Sequence, residues 1–575
     1  MGNNINRREF ISLSGGFAGM AALASMGISG WGDNEAELTV DEIESKQHSC
    51  DVLVIGGGMA GLFAAIKAHD AGAKVLFVSK GRLGSSGQTP FAKGIFEYDP
   101  KNAKLTIDEF VEKVSLSAIG TNNRVYTRQL AEHSKARVDE LREWGFFESP
   151  LYNKSFSKPI NERQIPLMER ITITNLIKEN GKIAGAAGFS IDEKEVHFFN
   201  AKSVILCTGA GGFKPNGFPI CDLTHDGTIM AYNIGAKVTG KEWNDGHPAK
   251  EKNAAASFDG WGDMFLQKPS TTDINIRHDL GVDMNYQAYV GGGGSMRMGP
   301  QGPNGGASVK GGPQRPAGLD NQMPGGQGSK PEGGKRPPKG KEGGAPPGMS
   351  GGVVGGSSAG MSIHKSEGLV PINDKCESNI PGLYAAGDAL GSHMAGGIYT
   401  QIGSSLAGSA VQGAVAGEAA AEYSGKTEIQ KLSKSKINTI QSEIFAPLKR
   451  ESGYSPAWVT QTLQGIMIPN FVLYVKKESI MRAALAYVVE LRESHLPYLR
   501  AKDLHELRLV HETRNMIITA EMKLKASLMR KESRCSHYRM DYPEIDHENW
   551  DAWINIFKGD NGEMLFEKQA FDSWS

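Results

Sequence analysis

Apolar and polar positions along the chain change period several times, and the first change carries the most information. In "DVLVIGGGMAGLFAAIKAHDAGAKVLFVSK", Asp51–Lys80, the apolar run Val52–Ile55 has the character of a buried strand. Gly56-x-Gly58-x-x-Gly61 follows as a tight turn, Leu62–Ala71 has helical spacing, and Lys74–Val78 is a second strand. This pattern predicts a dinucleotide-binding unit. Its glycines permit a sharp turn, a backbone close to a pyrophosphate, and a helix packed tightly on its strand. The phosphates belong at the helix N-terminus, where free N–H groups and the dipole favour anions. In the common pattern an acidic residue near the end of the second strand binds the ribose, but here Ser79-Lys80 stands in that place.

After the Gly/Ser-rich loop "GRLGSSGQTPFAKGIF", Thr106–Trp144 shows apolar positions at three- and four-residue intervals and predicts helix. Strand-like pieces follow in "KIAGAAGFS" and "EVHFFNAKSVILCTGAGG", the second running from Val204 into a glycine turn, Gly209-Ala210-Gly211-Gly212. From about Gly291 to Gly360 the chain is a Gly/Pro/Ser/Gln/Lys tract with eight Lys/Arg against three Asp/Glu. Such composition buries too little apolar surface to offset its ordering entropy and predicts a flexible insertion; docking to a partner is the competing reading. A β run then ends in Gly387-Asp388, and a glycine-dense loop enters a small-residue helix at Ser404. Ile429–Arg530 is helical in pattern, with Ile480, Ala484, Tyr487, Val488 and Leu491 on one face and Leu504, Leu507 and Val510 on that of the next helix.

At 575 residues the chain exceeds one hydrophobic core and implies two to four domains. The net charge of −1 gives no electrostatic reason for a nucleic-acid partner. Cys50, Cys207, Cys221, Cys376 and Cys535 are scattered without CxxC spacing, so the usual ligand sets of iron–sulfur, structural zinc and c-type haem sites are missing. No metal site is expected. At the N-terminus, Asn6-Arg7-Arg8-Glu9-Phe10-Ile11 precedes a Gly/Ala-rich apolar stretch with Ala22-x-Ala24 as a cleavage candidate. This resembles a twin-arginine export signal and places the protein in the periplasm or on the outer face of the cytoplasmic membrane. A first helix with a chance Arg-Arg pair is the alternative. Contact with a membrane is expected only through that signal or a partner.

Taken together, the glycine elements, Ser79-Lys80, Thr224-His225-Asp226-Gly227, Pro381–Asp388 and Ser404-Ser405-Leu406 resemble the FAD-binding domain of the succinate dehydrogenase/fumarate reductase flavoprotein family. Ala526–Trp550 is similar to the end of these proteins' helical domain, and the helical stretch before it looks most like the adenylylsulfate reductase α subunit. The resemblance implies an α/β fold: an FAD-binding Rossmann-like domain of glutathione-reductase type, an inserted capping domain and a C-terminal helical domain. The implied division is signal and leader 1–45, FAD-binding domain 46–235 and 360–425, capping domain 236–290, flexible insertion 291–359 and helical domain 426–575. Implied FAD contacts are Gly56, Gly57, Gly58, Met59, Ala60 and Gly61 in the first turn. Ser79, Lys80, Gly81, Ser86, Thr89 and Gly94 follow it, and Asp226, Asp388, Ser404, Ser405 and Leu406 complete the set.

The departures narrow the chemistry. Gly87 occupies the place of the histidine that links FAD covalently in many family members, which implies non-covalent FAD. The arginine of the family's E-G-x-R-G-E-G segment has no counterpart, and Tyr399-Thr400-Gln401 stands where a second arginine binds a substrate carboxylate. A C4 dicarboxylate is therefore not the expected substrate. His247, in His247-Pro248-Ala249, is the first candidate for acid–base work, against a structural role at a turn. His393 and Tyr399 lie on the loop expected to pass the flavin. Arg297 and Arg315 are candidate replacements for the lost arginines, or solvated loop charges. Arg534, His537 and Arg539 either brace the helical domain or bind a product or partner. The expected function is an exported FAD oxidoreductase for a small organic or sulfur-containing substrate. Its electrons would pass through a separate iron–sulfur protein, cytochrome or quinone. A non-catalytic flavin-carrying electron-transfer or scaffold subunit is the alternative.

Overall fold

Strand β1 (Glu44–Ile55), helix α1 (Met59–Asp70) and strand β2 (Val75–Ser79) build the unit read from Asp51–Lys80. The two strands pair in parallel, from Val52 with Val75 to Ile55 with Val78. In this computed structural model, the described residues are 43–574 apart from 93, 214–222, 245–267, 273, 275, 277–365, 399, 402, 468–471 and 474. The export signal, the Gly/Pro-rich stretch and most of the expected capping domain lie outside them.

The short β3 (Gly94–Phe96) leads to α2 (Ile107–Ser117), α3 (Arg124–Glu143) and α4 (Asn153–Glu162). The helical pattern of Thr106–Trp144 is two helices because it contains two N-caps. Thr106 and Glu109 form a reciprocal capping box, and the Asn123 side chain accepts from the N–H groups of Val125 and Tyr126. Next come β4 (Leu167–Glu169), β5 (Ile171–Glu179), β6 (Lys182–Ser190), β7 (Glu195–Leu206), α5 (Asp226–Asn233), β8 (Val238–Thr239), β9 (Ser270–Thr272), β10 (Gly368–Leu369) and β11 (Leu383–Ala385). The main sheet has the order β4-β2-β1-β7-β6-β5, and β11 pairs with the C-terminal part of β7. The β4, β2, β1, β7 and β11 pairings are parallel, and β5–β6–β7 is antiparallel. Their carboxyl ends, at Ile55, Ser79 and Leu206, share one edge, where ligands of such sheets bind.

Helix α6 (Ser404–Gly425) crosses α1 at very short range. A Cβ on Gly413 would lie 2.2 Å from Ala60 O, and one on Gly417 would lie 2.6 Å from Ala64 O. This seam presses the N-terminus of α1 into the cofactor edge of the sheet. The chain continues as α7 (Lys434–Phe445), α8 (Pro456–Met467), β12 (Val475–Lys476), α9 (Glu478–Glu490) and α10 (Leu504–Met529). These helices share a second core with the antiparallel strands, where Phe445, Val459, Leu463 and Ile517 meet Ala187, Phe189 and Phe198. The buried face of α9 is Met481, Ala484 and Val488, with Leu491 beyond its end. Ala484, Val488 and Leu491 are thus buried as predicted, whereas Ile480 and Tyr487 are exposed, a correction to that face. Beyond α10 the helical pattern stops. β13 (Tyr538–Arg539), the single turn α11 (His547–Trp550), β14 (Ala552–Lys558) and β15 (Met564–Ala570) follow, and β14 pairs with both β15 and β8. Among the described residues, no helix is long and apolar enough to cross a membrane.

Gly413→Val forces a side chain against the α1 backbone and should lower stability by about 1–3 kcal/mol. Gly465→Ala, on the exposed side of α8 with nothing within 4 Å, should raise it by about 0.5–1 kcal/mol. Denaturant unfolding of the two variants checks both signs.

Candidate functional site

The cradle after β1 is built by close approach. Gly56 has φ +116°, and a Cβ there would lie 2.2 Å from Cys207 O and 3.1 Å from Thr208 N. A Cβ on Gly61 would lie 1.8 Å from Gly56 O. Gly58 differs: it has ordinary extended backbone, and its Cβ would touch only Thr89 Oγ1 at 3.3 Å. The fold alone does not require glycine at 58. Gly58 is also the N-cap of α1 and has no side chain of its own to cap it. The Met59 N–H donates to Thr89 Oγ1 (3.2 Å), so the loop reaches back to this terminus. Gly81 packs against Ser86, whose hydroxyl donates to Arg82 O, and these residues line an open cavity of about 520 Å³ with Ser85, Arg170 and Asp192.

The remaining expected contacts come from separate segments. Ser79 is buried beneath Gly57. Asp388 is buried in the turn Gly387–Ala389 after β11. Gly403, Ser404, Ser405 and Leu406 open α6, and the backbone of Gly403 accepts from the Phe96 N–H (3.1 Å) beside Gly94 and Ile95.

Lys80, in the position of the usual ribose acid, turns toward the C-terminal helices. Its Nζ donates to Asp226 Oδ2 and Glu512 Oε1, each at 2.8 Å, and to Thr224 Oγ1 at 3.1 Å. Burial opposes the ammonium charge, but Asp226 and Glu512 outweigh it and raise the Lys80 pKa. Asp226 also accepts from Asn515 Nδ2 (2.8 Å) and Thr224 Oγ1 (3.0 Å). Despite its own burial, Lys80 and these donors hold its carboxyl below the usual range. The acid expected at FAD is thus part of a network with α10. Glu512, Asn515 and Arg508, which pairs with Glu512 at 2.7 Å, had no distinguishing signal in a helical stretch.

A second polar cluster lies under α5 and β8. Glu367 is fully buried and takes both Lys523 (2.7 Å) and Lys241, while His225 Nδ1 lies 3.3 Å away. Arg530 bridges Glu242 (2.9 Å) and Glu532 (2.7 Å) with Trp243 and Trp550 over its guanidinium. Arg534 takes Glu532 and Asp551, Arg539 takes Asp541 and Glu478, and His537 Nδ1 meets Lys476 Nζ (2.7 Å). All three residues from "ESRCSHYR" are buried braces between segments. His393 is buried, stacked on Trp553 at 4.9 Å, and its Nε2 meets Thr239 Oγ1 at 3.2 Å. Burial, aided by Arg530, pushes its pKa down to about 3, so the ring is neutral. His247, Tyr399, Arg297 and Arg315 lie outside the described residues. Among the described residues, no group of three or more His, Cys, Asp or Glu could hold a metal ion.

These residues fit FAD. The glycine cradle sits at a helix N-terminus whose N-cap residue carries no side chain. Among the described residues, Thr208 Oγ1 and His225 Nε2, both at the same sheet edge, are buried without hydrogen-bond partners. When bound, FAD supplies hydride transfer at its flavin ring.

Comparison with known proteins agrees. The FAD binding domain model matches residues 51–155, and the fumarate reductase flavoprotein C-terminal model matches 460–572. An uncharacterized FAD-dependent oxidoreductase of Methanocaldococcus jannaschii is 24% identical, covering 90% of this chain and 97% of its own. One of the subunits of the fumarate reductase (CoM/CoB) of Methanothermobacter marburgensis is 24% identical, covering 88% and 97%. A structure of adenosine-5-phosphosulfate reductase with a covalent sulfite adduct superposes with a TM-score of 0.67 at 19% identity, covering 93% and 97%. The chain is an FAD-dependent oxidoreductase, similar over most of its length to flavoproteins of the fumarate reductase/succinate dehydrogenase type.

Two outcomes follow from the site. Gly58→Val should fold, because only Thr89 is near, yet lose FAD, because its side chain enters the pyrophosphate space; flavin-to-protein absorbance reads this directly. Acid should destabilise the protein in two windows of the same sign. His225 and His393 have folded pKa values of about 4 and 3 against an ordinary 6.5. From pH 6.5 downward the unfolded chain therefore binds protons that the folded chain refuses, costing about 1.4 kcal/mol per pH unit per histidine. Below about pH 4.5, the depressed carboxylates Asp226 and Glu367 add a further loss. Denaturant unfolding between pH 7 and 4 should show stability falling from the first window onward.

Proposed function

We propose that the protein is an exported FAD-dependent reductase or dehydrogenase for a small organic or sulfur-containing molecule other than a C4 dicarboxylate. The observation that carries this reading is the composition of the loop before α6. Where the resembled family places a carboxylate-binding arginine, this chain has Thr400 and Gln401, both neutral and buried. The Thr400 hydroxyl donates to Ala395 O (3.3 Å). A carboxylate buried there without a cationic partner loses several kcal/mol.

His247 remains the proposed acid–base residue, and Tyr399 a proposed substrate contact. His393, held neutral, suits hydrogen bonding better than proton donation. Electrons would leave or arrive through a separate iron–sulfur protein, cytochrome or quinone, since the cysteines of this chain are scattered. The relatives that are reductase subunits support this division of labour. Export by the twin-arginine route rests on Arg7-Arg8 and the apolar stretch after it. The missing arginines also favour a second reading, a flavin-carrying subunit without its own substrate.

FAD should be non-covalent. Gly87 has φ +73°, and a Cβ there would meet nothing within 4 Å; it offers no side chain to link. Acid precipitation of purified protein should leave the flavin in the supernatant. Stopped-flow reoxidation of the reduced flavin by a panel of acceptors separates the two functional readings. Fumarate should be slower than the true acceptor by about two orders of magnitude or more, the scale of a lost charge-stabilising group. Rapid fumarate turnover contradicts the first reading; no response to any acceptor favours the second.

A further inference from the structure

Of Thr224-His225-Asp226-Gly227, only the aspartate was assigned a role from sequence. The structure sets its histidine apart. His225 has φ +61°, a conformation that a non-glycine residue keeps only where its surroundings over-determine it. It is 2% exposed, and its Nδ1 lies 3.3 Å from Glu367 Oε1. Burial opposes the Glu367 charge, but Lys241 and Lys523 hold the carboxyl well below its ordinary value. An ionised carboxylate only accepts, so Nδ1 of His225 carries the hydrogen and Nε2 presents a lone pair. That Nε2 has no hydrogen-bond partner among the described residues.

Its position follows from a chain of close approaches. A Cβ on Gly211 would lie 2.0 Å from His225 Nε2, so the ring rests on the second glycine turn. A Cβ on Gly227 would lie 2.1 Å from Thr208 Oγ1, and Thr208 borders Gly56 in the first cradle. Thr208 and His225 thus form a pair of orphaned polar groups where two glycine turns meet. Buried acceptors in folded proteins find donors, and FAD is the polar ligand this edge is built to receive.

We propose that His225 is a cofactor-contacting residue whose Nε2 accepts a hydrogen bond from a hydroxyl or ring N–H of bound FAD, its tautomer fixed by Glu367 between Lys241 and Lys523. The inference rests on the chain binding FAD. It assigns the histidine to recognition of the cofactor and gives the two lysines a purpose beyond packing: they keep Glu367 ionised, so that the hydrogen of the neutral ring sits on Nδ1 and Nε2 keeps its lone pair.

The test is FAD release from the full-length holoenzyme, followed by free-flavin fluorescence on dilution, with thermal stability of the same samples alongside. His225→Gly should still fold, because glycine suits the left-handed backbone, though it loses some stability to the cavity, yet bind FAD about three- to tenfold more weakly, the worth of one neutral hydrogen bond. His225→Gln, which keeps an acceptor, should recover part of that loss. An FAD dissociation constant within twofold of native in His225→Gly overturns the proposal while leaving FAD as cofactor. So does equal weakening in His225→Gln and His225→Gly. Absence of FAD binding by the native protein would overturn cofactor and proposal together.

Discussion

Helix α10 joins the helical part of the chain to the cofactor edge by charge, and the site's arrangement depends on that junction. Glu512 takes Lys80 from the end of β2, Asn515 takes Asp226 from the start of α5, and Lys523 takes Glu367 beneath His225. Their spacing places them on one helical face, Asn515 about one turn and Lys523 about three turns beyond Glu512. Burying such charges costs several kcal/mol per ion, and pairing roughly offsets this, so the lattice adds little net stability. What it supplies is position. Moving α10 without Thr224–Asp226 would strand paired charges in the interior, at a cost of about 3–5 kcal/mol for each broken pair. The second glycine turn and α5 are therefore fixed relative to β2 by a helix more than 400 residues away in the sequence, since Lys80 and Glu512 are separated by 432 positions.

The opposite constraint acts across α1 and α6, where the requirement is absence of bulk. Gly413 and Gly417 bring α6 onto the backbone of α1, as Gly61 brings α1 onto the β1 turn. Van der Waals contact without side chains sets the height of the α1 N-terminus above the sheet. The carboxyl ends of β1 and β7 then complete the cradle through Gly56 and Cys207. Gly58 stands outside this logic, since its neighbours leave room. On the proposed reading, its reason for being glycine lies in the ligand.

The contrast between these constraints explains which features were legible in the sequence. Local patterns were: the β1–α1–β2 unit, the strand ending at Leu206, the Gly387-Asp388 turn and the start of α6 all follow from short-range periodicity and glycine spacing. Thr106 and Asn123 as caps are also local, though only the structure separates their two helices. The partners of Lys80 were not legible, because Glu512 sits in a helical pattern indistinguishable from a solvated face. The same holds for Glu367, which follows a long Gly/Pro-rich stretch, and for Lys241, an ordinary lysine in Lys241-Glu242-Trp243. The partly mistaken face of α9 has a similar origin. Ile480 and Tyr487 are apolar at helical spacing, yet they stand outside, while Met481 joins the expected Ala484, Val488 and Leu491 inside.

The same bookkeeping of charge bears on what the site can bind. Arg530 is shared between Glu242 and Glu532, Arg534 between Glu532 and Asp551, and Arg539 between Asp541 and Glu478. Lys241 and Lys523 share Glu367. Lys476, given to His537 and Glu242 O, is the member of this cluster without a carboxylate, and burial drives its pKa well below 10.5 toward the neutral amine. Any of the paired cations would have to break an existing interaction, and leave a buried carboxylate behind, to accept a substrate dianion. The interior cations of the described residues therefore cannot stand in for the missing arginine clamp. On the proposed reading, the substrate would be held by hydrogen bonds, by its own weaker charge, or by a group outside the described residues, such as His247, Arg297 or Arg315. Among the described residues, this follows from where the positive charges are and from what each of them already holds.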